Sequence, residues 1–264
     1  HRLIADKPEP AEIVHIRRSP AEFREYSGFT IISSDRGDDE AAMIPADLAI
    51  CPDCLRELYD RHDTRYQHPF ISCMVCGPRY TIIDRIPYDR ENTSMVDFPM
   101  CRYCEDQYTD LHDRRHHAQT ISCHGCGPQL LWKTRTTSCD MTYVPEDMTG
   151  DEHRSRNSAI LDSAADILKN GGVIAFKSVG GYNLVADPLC DEAVHKLRTI
   201  KKRESKPFAV MFRDLDEIRS FSYISDTETK LISSSARPII LLEHRESDSA
   251  EINSSRFIGS FLPS

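Results

Sequence analysis

CPDC at Cys51–Cys54 and ISCMVCGP at Ile71–Pro78 return fifty residues later as CRYC at Cys101–Cys104 and ISCHGCGP at Ile121–Pro128. Each copy reads C-x2-C-x18-C-x2-C, so Cys51, Cys54, Cys73 and Cys76 are matched by Cys101, Cys104, Cys123 and Cys126. The text between the knuckles repeats as well: Asp60, His62, Asp63 and Arg65 recur as Asp110, His112, Asp113 and Arg115. Four thiolates at this spacing can close a tetrahedral shell around one Zn2+, with Zn–S bonds of about 2.3 Å. A duplicated module with two metal sites is therefore expected. An all-sulfur shell leaves no open position for a substrate, so both metals are read as structural. The duplication favours a ligand set drawn from within each copy. Crossed sets, joining Cys51 and Cys54 to Cys123 and Cys126, are the alternative.

Working outward, the stretch 46–131 is short of large apolar groups and rich in loops, Pro, Gly and His. Such a domain buries too little apolar surface to stand alone, and metal ligation supplies on the order of 10 kcal/mol per site. A disulfide scaffold or redox CxxC chemistry would use the same residue type, but four CxxC pairs suit metal better. Thiolate ligands imply a reducing compartment, hence the cytoplasm. Cys139 and Cys190 fall outside the pattern and read as incidental thiols. His62, His68, His112, His116, His117 and His124 are read as surface bystanders, since each site already has four thiolates. Gly77 and Gly127 are expected to take a left-handed turn that turns backbone N–H groups toward sulfur.

The 264 residues, 39% hydrophobic and 28% charged, describe a globular protein with material for about two domains. No apolar run approaches the roughly 18–20 residues needed to cross a bilayer, and no secretory signal is visible. The chain starts at His1, and a piece of a longer protein is expected. Net charge is −9, and Cys51–Leu130 holds nine Lys+Arg against twelve Asp+Glu. That balance argues against a protein built mainly to grip a phosphate backbone.

The flanks divide as follows. Residues 1–45 give two strand-like runs, Ala11–Ile16 and Phe29–Ile32, and read as a connector. Residues 132–157 are polar and read as a linker. From Ser158 the apolar residues Ile160, Leu161, Ala164, Ala165, Ile167 and Leu168 recur at helical spacing until Asn170-Gly171-Gly172 stops them. Val173–Phe176, Phe208–Phe212 and Ile239–Leu242 are strand candidates. Helices are expected at Asp191–Lys202, Leu215–Phe221 and Thr227–Ile232, and this alternation describes an α/β domain over 158–264. Lys196, Arg198, Lys201, Lys202, Arg203 and Lys206 cluster where the second helix ends. A solvated helix end whose cations complement the dipole accounts for such a cluster. An anion site, with Lys177 and the Gly180-Gly181 turn nearby, is the functional alternative. Chemistry alone names no catalytic nucleophile.

PADLAICPDC, HPFISCMVCGPRYTIIDRIPYDRENTSM, FPMCRYC and DRRHHAQTISCHGCGP resemble the paired zinc-finger region of the HypF family, the carbamoyltransferases of [NiFe]-hydrogenase maturation. GGVIAFKSVGGYNLVADPLCDEAVHKLRTIKKRESKPFAVM and ARPIILL resemble the YrdC-like domain that follows it. The resemblance runs from about Ile44 to the end. It implies an α+β multi-domain fold, with a small duplicated four-cysteine zinc-finger domain before an incomplete α/β YrdC-like domain. Residues 1–45 would be the tail of an acylphosphatase-like domain, and a kinase-like domain would follow. It also implies two structural Zn2+, ATP and carbamoyl phosphate as substrates, carbamoyl-adenylate as intermediate, and the C-terminal cysteine of HypE as acceptor. The family's K-x-R and K-P elements fall on Lys201, Arg203 and Lys206-Pro207, and Lys177 precedes the Gly-Gly turn. These four are the nucleotide or carbamoyl-adenylate candidates. Asn183 stands where the family usually has His. The chain stops near the family's LPYTPLH, so a cleft lacking one wall is expected to bind nucleotide poorly and the fragment to be inactive alone. The competing reading is a nucleic-acid-binding zinc-ribbon protein with a YrdC domain of the tRNA threonylcarbamoyl-adenylate type. A scaffold that only docks partners through the zinc module is a third.

Overall fold

The computed structural model describes residues 2–7, 13, 15–23, 25, 27–28, 44–134, 148–245 and 255–264. The chain divides into two compact units, His1–Met43 and Ile44–Ser264. In the first, only the short helix α1 (Arg2–Ala5) is formed among the described residues. The strand expected at Phe29–Ile32 lies outside the described residues. Within Ala11–Ile16, the described Ile13, His15 and Ile16 are not in a strand.

The second unit opens with the duplicated module. Each copy starts with an eight-residue helix, α2 (Pro52–Tyr59) and α3 (Arg102–Thr109), entered from a cysteine in extended backbone. At Cys51 the sulfur itself caps the helix, accepting from the Cys54 amide at 3.5 Å, and Pro52 presets the first turn. The repeated aspartates build the turn after each helix. Asp60 and Asp110 accept from the amides of His62 and His112, and Asp63 and Asp113 from those of Arg65 and Arg115. Gln67 and His117, again fifty apart, both take left-handed backbone and return the chain to its helix through bonds to Leu58 O and Tyr108 O. Between the copies, two 3-10 turns (Arg90–Asn92 and Ser94–Asp97) are pinned to the second copy by Arg90, whose guanidinium donates to the carbonyls of Phe98, Gln119 and Ile121.

The remainder is α/β. Helix α4 (Gly150–Lys169) leads into an antiparallel hairpin of β1 (Val173–Ser178) and β2 (Gly181–Ala186), against which α5 (Asp191–Lys201) packs. Next come β3 (Ala209–Met211), α6 (Leu215–Phe221), α7 (Asp226–Ile232), β4 (Ile240–Glu243) and β5 (Phe257–Phe261). They form a three-stranded sheet in the order β3-β5-β4, with β5 parallel to β3 and antiparallel to β4. Its core is Phe212, Ile218, Ile232, Leu242 and Leu262, with Val210 and Ile240 beside them on the covered face. Among the described residues no helix is long and apolar enough to cross a membrane.

Two elements differ from the sequence reading. Helix α4 begins at Gly150, eight residues before Ser158, on a capping box formed by Thr149 and Glu152. The Gly180-Gly181 pair closes a hairpin whose second strand, Gly181–Ala186, the sequence reading leaves out. The module touches the α/β part at several points. Ala49 N donates to Ser235 O at 2.8 Å, Leu130 N donates to Asn157 Oδ1 at 3.3 Å, and the hairpin loop at Gly180 lies beside Thr81.

Candidate metal centres

The eight cysteines gather by copy. The sulfurs of Cys51, Cys54, Cys73 and Cys76 all lie within 4.8 Å of one another, as do those of Cys101, Cys104, Cys123 and Cys126. Neighbouring sulfurs stand 3.7 Å (Cys51–Cys73) and 3.8 Å (Cys73–Cys76) apart in the first group. In the second they stand 3.6 Å (Cys101–Cys123 and Cys104–Cys126) and 3.7 Å (Cys123–Cys126) apart. A tetrahedron with metal–sulfur bonds of about 2.3 Å has edges of about 3.8 Å, so the cavity among each set fits a zinc-sized ion. All eight are free thiols rather than disulfides.

The chemistry of the donor set agrees. Hydrogen bonds from neighbouring sulfurs, and then burial, push the Cys54 and Cys104 thiols far above the ordinary range. The same sulfur–sulfur bonds drive Cys73 and Cys126 far below it. Four thiols this close cannot ionise together without a cation between them. Zinc, if bound, would supply that charge, holding one copy through Cys51, Cys54, Cys73 and Cys76 and the other through Cys101, Cys104, Cys123 and Cys126.

Around the sulfurs stand residues that spacing alone did not single out. Arg114 Nη2 donates to Cys54 Sγ at 3.1 Å, Arg65 Nη2 to Cys104 Sγ at 3.4 Å, and Arg115 Nη2 to Cys54 Sγ at 3.9 Å. Glu57 is paired with both Arg114 and Arg115. Burial alone would raise the Glu57 pKa, but the hydrogen bonds from the two arginines outweigh it and hold the carboxyl ionised. The signal available in the sequence was the recurrence of Arg65 as Arg115, a charged residue kept in step with the cysteines.

Two expectations about this region are corrected. His68 and His124 are buried rather than at the surface. Their rings lie 4.8 Å apart, with His68 Nε2 at 3.1 Å from Ser122 Oγ and His124 Nε2 at 2.9 Å from Tyr66 O. Neither belongs to a sulfur group; both fasten one copy to the other. His62 and His112 are exposed. Of the two knuckle glycines only Gly77 has positive φ, at 101°. Gly127 is needed for space, since a Cβ there would sit 2.6 Å from Ser122 Cβ and 3.0 Å from Cys123 O. The amides of Cys54 and Val75 donate to the sulfurs of Cys51 and Cys73.

The basic candidates lie in the α/β part. Lys202 takes left-handed backbone at the end of α5 and starts the loop bearing Arg203 and Lys206. Arg198 stacks on Phe208 and donates to the carbonyls of Arg203 and Lys206, so it shapes the loop. Arg203 stacks on the same ring and donates to Pro207 O at 2.6 Å. Lys201 and Lys206 are exposed. Lys177, on β1, lies 5.6 Å from the Tyr182 ring and donates to Ser178 O. Among the described residues no hydrogen bond or ion pair joins Lys177 to the other three. Asn183 donates to Ser178 Oγ at 3.3 Å, inside the hairpin. Cys190 precedes α5, half-buried, and Cys139 lies outside the described residues.

The family described as HypF finger matches residues 50–83 and 100–132, one stretch over each cysteine group. The Sua5/YciO/YrdC family, described as Telomere recombination, matches residues 166–264. Carbamoyltransferase HypF of Synechocystis sp. is 46% identical over 245 residues, which is 93% of this chain and 30% of that protein. Carbamoyltransferase HypF2 of Cupriavidus necator is 44% identical over 248 residues, or 92% of this chain and 29% of that protein. The crystal structure of full-length HypF in its phosphate- and nucleotide-bound form superposes with a TM-score of 0.74 at 39% identity, over 86% of this chain and 28% of that one. The chain thus spans under a third of the length of these relatives. Paired cysteine fingers followed by a Sua5/YrdC-type region, alike in sequence and in fold, match this chain to the corresponding region of HypF proteins.

Proposed function

We propose that this chain is the metal-braced finger module and the adjoining adenylate-binding region of a carbamoyltransferase. The whole enzyme would use ATP and carbamoyl phosphate to make carbamoyl-adenylate. A protein thiol, the C-terminal cysteine of HypE, would then attack the carbamoyl carbon and displace AMP. The observation that carries the reading is the likeness at 44–46% identity to curated carbamoyltransferases, continuous across the fingers and the region after them.

Within that reading, Zn2+ in the two sulfur groups is structural and fixes where the module meets α4, the hairpin loop and Ser235. Lys177, Lys201, Arg203 and Lys206 would hold the phosphate of nucleotide or adenylate by charge-assisted hydrogen bonds. The module's charge distribution speaks against nucleic acid as the ligand: Arg65, Arg79 and Arg115 are buried and bonded inside the protein. Such arginines are lost to a phosphate backbone.

Isothermal titration of the chain with ATP and a non-hydrolysable analogue tests the reading. Measurable heats that disappear in the folded Lys201→Ala/Arg203→Ala variant support the assignment. Identical heats in both proteins, or a salt-dependent shift with RNA in place of nucleotide binding, count against it.

A further inference from the structure

A divalent ion in a shell of four thiolates leaves two negative charges in excess, and buried excess charge requires compensation nearby. In a duplicated module each copy would be expected to supply its own. Here the compensation is exchanged. Arg65, 1% exposed, belongs to the first copy, yet donates from Nε to Ser122 O at 2.8 Å and from Nη2 to Cys104 Sγ at 3.4 Å, both in the second. Arg115, 2% exposed, mirrors it from the second copy, donating from Nε to Ser72 O at 3.0 Å and from Nη2 to Cys54 Sγ at 3.9 Å. Ser72 and Ser122 each precede the third cysteine of their own set, so each arginine also grips the segment that carries two ligands. Ser72 Oγ completes the exchange by donating to Thr120 across the same interface.

The two ends are not identical. The first sulfur set also receives Arg114, where the other copy has Thr64, but Glu57 stands beside that pair where the other copy has Gln107. The second copy thus sends Arg114 and Arg115 to the first set, where the first copy's own Glu57 pairs with both, and the first copy sends Arg65, backed by the Tyr103 ring at 5.1 Å, to the second. Each set therefore has a buried arginine contributed by the opposite copy.

We propose that the two metal sites are a thermodynamically coupled pair, in which filling one raises the affinity of the other, and that Arg65 and Arg115 carry the coupling. An empty second site leaves Arg65 buried without the excess negative charge of a metal–thiolate shell beside it, which disfavours the folded first copy. An unfolded first copy withdraws Arg65 and leaves the second set of thiolates uncompensated. By linkage the effect is equal in both directions. The inference rests on the reading of both sulfur sets as metal sites.

The test uses the full chain, reduced and stripped of metal, and Zn2+ as the probe. Native mass spectrometry counts chains with zero, one and two ions through the titration, and chelator competition gives both stepwise affinities. The expected result is a second step at least about tenfold tighter, relative to the first, than independent sites would give, with the one-ion species suppressed. In the Arg65→Met/Arg115→Met variant the steps should become independent within about twofold. If that variant does not fold, Arg65→Lys keeps the charge while losing the two-pronged contact, and should lower the coupling alone. Independent steps in the parent chain overturn the proposal, and so does coupling unchanged in a folded arginine variant. A chain that takes up no Zn2+ overturns the metal reading itself, a result distinct from two ions bound independently.

Discussion

Arg65 and Cys104 lie thirty-nine positions apart, in different copies of the repeat, and are in contact: the guanidinium Nη2 is 3.4 Å from the sulfur. The same guanidinium bonds to Ser122 O, so one side chain reaches both a ligand and the segment that carries the next. Replacing Arg65 by Met keeps most of the packing volume and removes every one of these bonds. Losing one side of a buried charged contact costs about 3 kcal/mol or more. Urea unfolding of the zinc-loaded chain should show that loss, whereas a change under about 0.5 kcal/mol would mean that the arginine is a passenger.

Gly127 and Gly77 stand at matched positions for different reasons, and substitution separates them. An alanine at Gly127 drives its Cβ into Ser122 and the Cys123 carbonyl, neither of which can retreat without moving a ligand. Overpacking of this kind costs about 1–3 kcal/mol. At Gly77 the penalty adds left-handed backbone, about 1–2 kcal/mol, to a 2.7 Å approach to Ser72 Cβ. Both variants should release zinc to a chelator faster than the parent, Gly77→Ala at the first site and Gly127→Ala at the second. Cysteine-accessibility labelling reads which site opens, and labelling of the wrong set would refute the assignment.

His68 makes stability depend on pH in a stated direction. Burial, then the neighbouring His124 and Arg65, push its pKa down to about 3. The unfolded chain binds that proton near pH 6.5 and the folded chain does not until about pH 3. This contribution is complete above about pH 6.5 and is lost as pH falls toward 3. Between about pH 7.5 and about 5.5 the loss is about 1.4 kcal/mol. Denaturant curves of zinc-loaded protein at these two values should show a smaller drop for His68→Gln than for the parent. Equal drops would remove His68 from the explanation.

Asn157 joins the second copy to the α/β part. It is 1% exposed, accepts from Leu130 N at 3.3 Å, and donates to Gln129 Oε1 at 3.4 Å. Asn157→Ala leaves the Leu130 amide unpaired and should cost about 1–3 kcal/mol. Hydrogen exchange should localise the effect to the first turns of α4 and to 129–132. Uniform loss of protection across both parts would indicate general destabilisation instead.

The cysteine spacing was enough to predict two sulfur sets, because the ligand-bearing knuckles are local and the duplication is written out in full. What lay hidden was between elements. The first half of α4, GDEHRSRN, lacks an apolar stripe because the residues it buries, His153 and Asn157, are polar, and Asn157 bonds across to the second finger copy. A polar stretch of that kind reads as a linker until its partner is seen. Likewise His68 and His124 carry the composition of a surface, and only the meeting of the two copies buries them. The strand Gly181–Ala186 is hidden in the sequence because Gly180-Gly181 reads as a phosphate turn, whereas the pair closes a hairpin. The four basic candidates were legible as charges but not as a site, since their geometry depends on the loop that Arg198 and Phe208 hold.

Zinc content, read with X-ray absorption at the metal edge on chain purified under reducing conditions, is the most direct test. Two ions per chain, each in a shell of four sulfurs at about 2.3 Å, are the predicted result. A chain that keeps the 46–131 region folded while holding no metal in the presence of a strong chelator would contradict it, as would nitrogen or oxygen in either shell.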